Sequence, residues 1–230
     1  MSTNEKLGFC SNVLMIILEI VGLILCLLNG GFYNFIYYTV LSNTFGLITS
    51  VIYVIYYCRS MKEIKKNKED VNLDNEVDTN KLQLKIPSCV RTLRFMSTVC
   101  LTVTFVVVFT ILLPYFYSLG LSGELLYYGP QLYHHIICPL LSLISFILFE
   151  NGLLTMKDVL FATLPTVIYG AVTLVLNIAK VMEGPYPFLK VYEQPVYASI
   201  LYVIGIIGGT FCFSKLVQWI TNKFSKKEEN

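Results

Sequence analysis

Runs of about twenty consecutive apolar residues recur from one end of the chain to the other, and this recurrence limits the fold more than any motif does. At 1.5 Å per residue, such a run crosses the roughly 30 Å hydrocarbon layer of a bilayer as a helix. Six crossings are expected, at 11–30, 34–57, 93–118, 131–149, 156–178 and 196–219. Composition points the same way. Of 230 residues, 55% are hydrophobic and 14% charged, against about a quarter charged in soluble domains. The expected fold is all-α, a polytopic integral membrane protein forming a single membrane domain over 1–230. Pro114, Pro139 and Pro165 fall inside the third, fourth and fifth runs, where a missing N–H predicts kinks. The first run is long, ends in Asn29-Gly30-Gly31 and follows a start in which Glu5 and Lys6 cancel. It reads as an uncleaved first crossing rather than a secretory signal.

The only long polar segment is 59–92, a charged loop expected in the cytoplasm. Its opening, RSMKEIKKNKED, can extend the second helix or lie on an anionic lipid surface, and its Asn/Asp-rich middle reads as a mobile loop. From Arg59 to Arg94 it holds nine basic and six acidic residues. Six crossings put this loop, Lys157 and the tail residues Lys223, Lys226 and Lys227 on one side. The positive-inside rule then places both termini in the cytoplasm of a cell-membrane protein.

Several function classes drop out. A formal charge of +2 is too small for nucleic acid. Seven cysteines are scattered without a CxxC pair, and the adjacent histidines have no acidic cluster beside them, so neither a metal site nor a cofactor is expected. There is no phosphate loop, dinucleotide fingerprint, GxSxG elbow or HExxH helix. Spans 1–3 and 4–6 share no inverted repeat of the transporter kind.

What remains is a small set of polar residues out of place in apolar runs. LYHHIICP carries His134 and His135, the only histidines, with Pro139 four residues after the second. YYTVLSNTF carries Thr39, with Ser42 and Asn43 one turn on. Given the topology, both segments enter from the outer side, so hydroxyl and imidazole share a layer roughly 5–10 Å below the outer helix ends. Depth matches; lateral proximity is left open. A threonine beside a histidine is a nucleophile with its general base, or a pair of ordinary interhelical hydrogen-bonders. The two histidines point about 100° apart on a helix and cannot share a role; Pro139 leaves the carbonyl of 135 unpartnered and opens space at that imidazole. Ser42 and Asn43 can orient a group there, Asn43 as donor to an oxyanion. Backbone amides are expected to be consumed inside membrane helices. Glu19, near the middle of the first run, should face the bundle interior, where it orients a histidine, holds a polar substrate group or ties helices together. Glu150 reads as an interfacial carboxylate. Asn177 and Lys180 end the fifth run near the presumed pocket mouth, Lys180 as an attractor of anionic head groups or a snorkelling lysine. The stiff turn EGPYPFLKVYEQP at 183–195 is either a lid or an aromatic girdle.

YYTVLSNTF, LYHHIICP and GPYPFLKV together resemble a bacterial branch of the androgen-induced, FAR-type membrane protein family, over essentially the whole chain. The resemblance implies a six-span hydrolase of fatty acid esters of hydroxy fatty acids, with Thr39 as nucleophile and His135 as base. Ser42, Asn43, His134, Glu19, Asn177 and Lys180 then become substrate-binding candidates, and the partner is a membrane lipid or fatty acyl ester. Two departures stand out. Ser145-Phe146 occupy the place of an Asp-Trp pair, and Gly184 that of a common tyrosine. The alternative is a non-enzymatic protein that binds or transports a lipid or small molecule. Oligomeric state is left open.

Overall fold

The computed structural model describes residues 3–74, 84–150 and 152–228; the middle of the polar segment, for which a mobile loop is expected, lies outside them. The fold is all-α, with six helices long and apolar enough to cross a bilayer. We number them α1 (Thr3–Gly30), α2 (Tyr38–Asp74), α3 (Ser88–Ser118), α4 (Pro130–Phe149), α5 (Met156–Ile178) and α6 (Val196–Glu228). Taken as crossings, they return the chain to the face at which it starts.

Helix α3 is the hub. It packs against α2, α4 and α5, and 56% of its most apolar window is buried, against 11% for α6. Phe95, Val99 and Cys100 meet Phe146, Val159 and Ala162 in the largest core cluster. Because lipid is as apolar as a leucine side chain, hydrophobicity alone does not drive helices together, and small hydroxyls add specific ties. Three such pairs radiate from α3: Ser97 to Thr49 at 2.7 Å, Thr98 to Ser142 at 2.8 Å and Thr104 to Ser42 at 3.0 Å.

The start of the second helix differs from the expected one for a local reason. The second helix begins at Tyr38, not 34. Gly31 (φ +62°) turns the chain into a 3₁₀ segment, Gly31–Ile36, and Asn34 reaches back to donate to the Cys26 carbonyl at 2.8 Å. Tyr37 is then extended (φ −84°, ψ 134°), so α2 starts afresh after it. At its far end α2 runs on to Asp74, into the opening of the polar segment. The prolines also act unequally. Pro114 follows a π turn at Val108–Leu112, and Pro139 follows another at Tyr133–Ile137. The wider turn moves the i−4 carbonyl off the proline ring. Pro165 sits inside α5 without one.

Glu150 is not an interfacial carboxylate. It is 3% exposed and paired with Arg94, which is fully buried, at 2.9 Å. Asn12 donates to the same carboxylate at 2.9 Å, Ser145 at 3.3 Å, and Arg94 also donates to Ser50 at 3.3 Å. The interior of the bundle, rather than water, solvates this charge because α1, α2, α3 and α4 converge on it. Removing one partner of a buried pair leaves an uncompensated charge and costs about 3–5 kcal/mol, whereas replacing both with apolar groups can be neutral. Arg94→Met and Glu150→Leu should each cause early loss of the folded monodisperse fraction on heating in detergent, and the double variant should recover most of it. A double variant no better than the singles contradicts this account.

Candidate functional site

The new start at Tyr38 decides the local chemistry. A helix leaves its first backbone amides without intrahelical acceptors, and Thr39 lies in that first turn. Its N–H donates instead to the Tyr186 hydroxyl at 3.2 Å. The expectation that helix amides are all consumed therefore fails at this position, because the α2 start is buried in protein. Thr39 Oγ1 lies 3.3 Å from the Tyr186 hydroxyl and 3.3 Å from His135 Nε2. On the other side of the ring, His135 Nδ1 is hydrogen-bonded to the Leu126 carbonyl, which can only accept. That contact assigns the proton to Nδ1 and leaves Nε2 free to accept from Thr39. Thr39 is 6% exposed and His135 5%.

Each part is held by a recognisable local feature. The π turn before Pro139 carries both histidines and sends them to different neighbours. His135 faces Thr39. His134 packs on α1 at Gly22, where an added Cβ would fall 2.9 Å from its Nε2. Leu126 ends a 3₁₀ turn, Gly123–Leu126, capped by Ser122. Tyr186 comes from the segment between α5 and α6 and stacks on Phe188, with centroids 5.1 Å apart. Burial pushes its phenol up to about 12, so at neutral pH it is a hydroxyl able to donate.

Thr39 and Tyr186 close one end of an apolar cavity of about 220 Å³. Val107 and Leu112 of α3, Gly170 and Leu174 of α5 and Ile206 of α6 wall it, and Phe188 and Leu189 cover it. Of the other hydroxyls in its lining, Tyr38 is engaged with Thr166 at 2.8 Å, Tyr169 with the Ile36 carbonyl at 2.8 Å and Thr104 with Ser42, while Tyr202 contributes a further hydroxyl. Thr39 and Tyr186 are the hydroxyls of this lining that are joined to each other and, through Thr39, to an imidazole. A hydroxyl hydrogen-bonded to an accepting imidazole, next to an N–H and a phenol, is a geometry from which proton transfer and stabilisation of a developing oxyanion can both proceed.

The other candidates divide into three groups. Ser42 and Asn43 sit beneath Thr39: Ser42 Oγ donates to the Thr39 carbonyl at 3.0 Å, and Asn43 Nδ2 donates to the same carbonyl at 2.7 Å and to the His134 carbonyl at 3.1 Å. Both amide hydrogens of Asn43 are therefore occupied, and it is absent from the lining of the Thr39 cavity, to which Thr39 and Tyr186 belong. Glu19 and His134 lie on a second, small cavity with Asn43, Thr44, Leu23 and Leu47. There Glu19 Oε1, Asn43 Oδ1 and both ring nitrogens of His134 have no hydrogen-bond partner among the described residues. Asn177 and Lys180 are absent from the lining of the Thr39 cavity. Asn177 pins the segment that covers it, donating to the Met182 carbonyl at 3.1 Å and accepting from the Val191 amide at 2.9 Å. Lys180, at φ 57°, rests its ammonium 5.1 Å above the Tyr192 ring. Among the described residues no group of three or more His, Cys, Asp or Glu gathers to hold a metal ion.

Sequence reasoning did not single out Tyr186 or Leu126. Tyr186 is one of 16 tyrosines, and its only signal is its place in the proline-rich turn; a backbone carbonyl has no sequence signal at all. Gly184 has a structural reason. A Cβ there would fall 2.4 Å from the Leu189 carbonyl carbon and oxygen, so the turn closes only on glycine. No family model, curated protein or solved structure matches the chain.

Tyr186→Phe deprives the Thr39 amide of its acceptor. Hydrogen–deuterium exchange should speed up in peptides spanning Tyr37–Leu41 while α3 stays protected. Gly184→Ala should extend the effect to 186–191, because the Leu189 backbone must move. Unchanged exchange at Thr39 in both variants contradicts the described closure.

Proposed function

We propose that the protein is a membrane-embedded esterase or acyl-transfer enzyme of threonine–histidine type, acting on a lipid or fatty acyl ester, in keeping with its resemblance to the FAR-type hydrolases. The observation that carries this reading is the Thr39–His135–Leu126 hydrogen-bond series at the polar end of an otherwise apolar cavity. The basic residues favour a cytoplasmic location for both termini, which puts this site in the outer half of the cell membrane.

The acyl chain occupies the apolar cavity, and its ester carbonyl lies between Thr39 and Tyr186. Thr39 Oγ1 attacks the carbonyl carbon as its proton passes to His135 Nε2. The imidazolium is steadied through Nδ1 by the Leu126 carbonyl. The tetrahedral oxyanion accepts from the Thr39 N–H and the Tyr186 hydroxyl. On collapse the ester C–O bond breaks, and the departing alkoxide takes the proton from Nε2 and leaves as an alcohol. An acyl-threonine remains. Water, deprotonated by the same nitrogen, then releases the fatty acid, or an alcohol in its place gives a new ester. This chemistry draws on no cofactor or metal. Serine-type chemistry with threonine is feasible when the base is held in the accepting tautomer.

A second reading, a non-enzymatic lipid-binding or transport protein, draws on the unpartnered Glu19, Asn43 and His134 atoms. Buried intramembrane carboxylates and imidazoles often mark pathways rather than catalytic sites. A covalent probe separates the two. A fluorophosphonate should label the purified wild-type protein, with the adduct mapping to Thr39 by peptide mass spectrometry. Thr39→Ala and His135→Ala should abolish labelling. Tyr186→Phe should slow labelling by about 10²-fold, the usual loss for one oxyanion donor. A folded wild type that resists labelling, yet moves a fluorescent lipid across sealed vesicles equally well with Thr39→Ala, supports transport instead.

A further inference from the structure

A second apolar cavity, of about 270 Å³, lies in the cleft between α3 and α6. Val106 and Thr110 wall it on one side, Gly205, Gly209 and Phe213 on the other. It shares four wall residues with the Thr39 cavity: Val103, Val107, Tyr202 and Ile206. We infer that this cleft is a lateral port through which one alkyl chain of a bilayer-resident lipid passes between α3 and α6 to reach Thr39. The chemistry at the end of the path rests on the esterase reading; the path itself does not.

Four observations carry the assignment. The cleft opens on the outer surface of the bundle, where Val106 is 40% exposed and Thr110, Gly205 and Gly209 are exposed as well. Two of its three hydroxyls are satisfied within α3 and α6, Thr110 and Thr210 each donating to the carbonyl one turn back at 2.7 Å, and the third belongs to Tyr202. A lining this poor in free polar groups selects an alkyl chain over a water-soluble solute. Third, the glycines of α6 leave space rather than allowing contact. A Cβ at Gly205, Gly208 or Gly209 would meet no atom within 4 Å. Glycine pairs four apart normally let two helices approach closely; here they hold the α3–α6 cleft open. Finally, Tyr202 is one of the four residues that line both cavities, its ring 5.9 Å from that of Phe188 in the covering segment.

An alkyl chain, rather than the helix of a second copy, is favoured because the cleft continues into a cavity that ends on a hydrogen-bonded threonine. A partner helix would leave that inner volume unfilled. The substrate class follows: lipids that partition into the bilayer, with the scissile ester near the head-group layer and a chain long enough to reach back through the cleft.

Gly208 provides a matched control, because it is on the same helix, is equally free of neighbours and lines neither cavity. Gly205→Leu, Gly209→Leu and Gly208→Leu are made in the full chain carrying Thr39→Ala, reconstituted in nanodiscs, and titrated with the fluorescent fatty acid cis-parinaric acid. Affinity should fall at least tenfold with leucine at 205 or 209 and stay unchanged at 208. Equal affinity in all three overturns the port, as does an equal loss in all three. A change in oligomeric mass by light scattering, confined to the 205 and 209 variants, assigns the cleft to a second copy and also overturns it. With Thr39 restored, the ratio of long-chain to acetyl ester turnover should fall at least tenfold in the two cleft variants. If the binding pattern holds while no ester of either length is cleaved, the port stands and the esterase reading falls.

Discussion

Inside a bilayer there is no water to finish a hydrogen bond, so every polar group must be completed by the chain itself. That constraint organises this protein. Continuous helices satisfy their own backbones, and α3, the most enclosed of the six, makes hydroxyl ties to α2 and α4. At the face carrying the chain termini the same requirement builds a larger object. Arg94 enters the interior with its charge, and Glu150, Asn12, Ser50 and Ser145 assemble around it from three other helices. The cluster fixes the relative rotation of α1 to α4, because every member must arrive at once. A structural anchor at one face leaves the opposite face free to carry a cavity.

On that opposite face the constraint is relaxed in two places, and both bear on Thr39. Breaking the chain at Tyr37 frees first-turn amides that an uninterrupted helix would have used, and the Thr39 amide finds Tyr186. The π turn before Pro139 frees carbonyls in α4, and the His134 carbonyl finds Asn43. Asn43 also holds the Thr39 carbonyl. One side chain therefore ties the two interruptions together and fixes the spacing between the threonine backbone and the histidine pair. Irregular backbone is tolerated at this depth because protein, not lipid, surrounds it.

How much of this could be read from residues alone follows from what each signal measures. Apolar run length reports bilayer crossings, and the six helices rest on it. Depth along a helix is also additive in sequence, which is why Thr39 and His135 could be matched in layer. Their separation of 3.3 Å depends on how α2 and α4 pack, and no local pattern encodes that. In sequence, Arg94 belongs with the charged loop and Glu150 with the interface, because each sits where an apolar run meets polar residues. Only the partner on another helix turns such a boundary residue into a buried one. Tyr186 belongs to a segment whose aromatics suit an interfacial girdle equally well. Its hydroxyl becomes distinctive only through the free amide beneath it, which in turn depends on a helix starting four residues later than the apolar run suggests.

In the Glu19 cavity the rule of internal completion is unmet for several atoms at once. Glu19 Oε1, Asn43 Oδ1 and both nitrogens of His134 converge from three helices without partners among the described residues, and leaving such groups unmade costs about 1–3 kcal/mol each. A membrane protein keeps polar groups at that cost when their protonation or occupancy matters. Their position gives them a mechanical route to Thr39. His134 is the chain neighbour of His135, and Asn43 touches both the Thr39 carbonyl and the cavity. Asn43 therefore links the surroundings of Glu19 to the Thr39 carbonyl, one peptide away from the amide that faces Tyr186. The two cavities are thus separate in lining, and the Asn43 side chain spans the gap between the surroundings of the buried carboxylate and the threonine carbonyl.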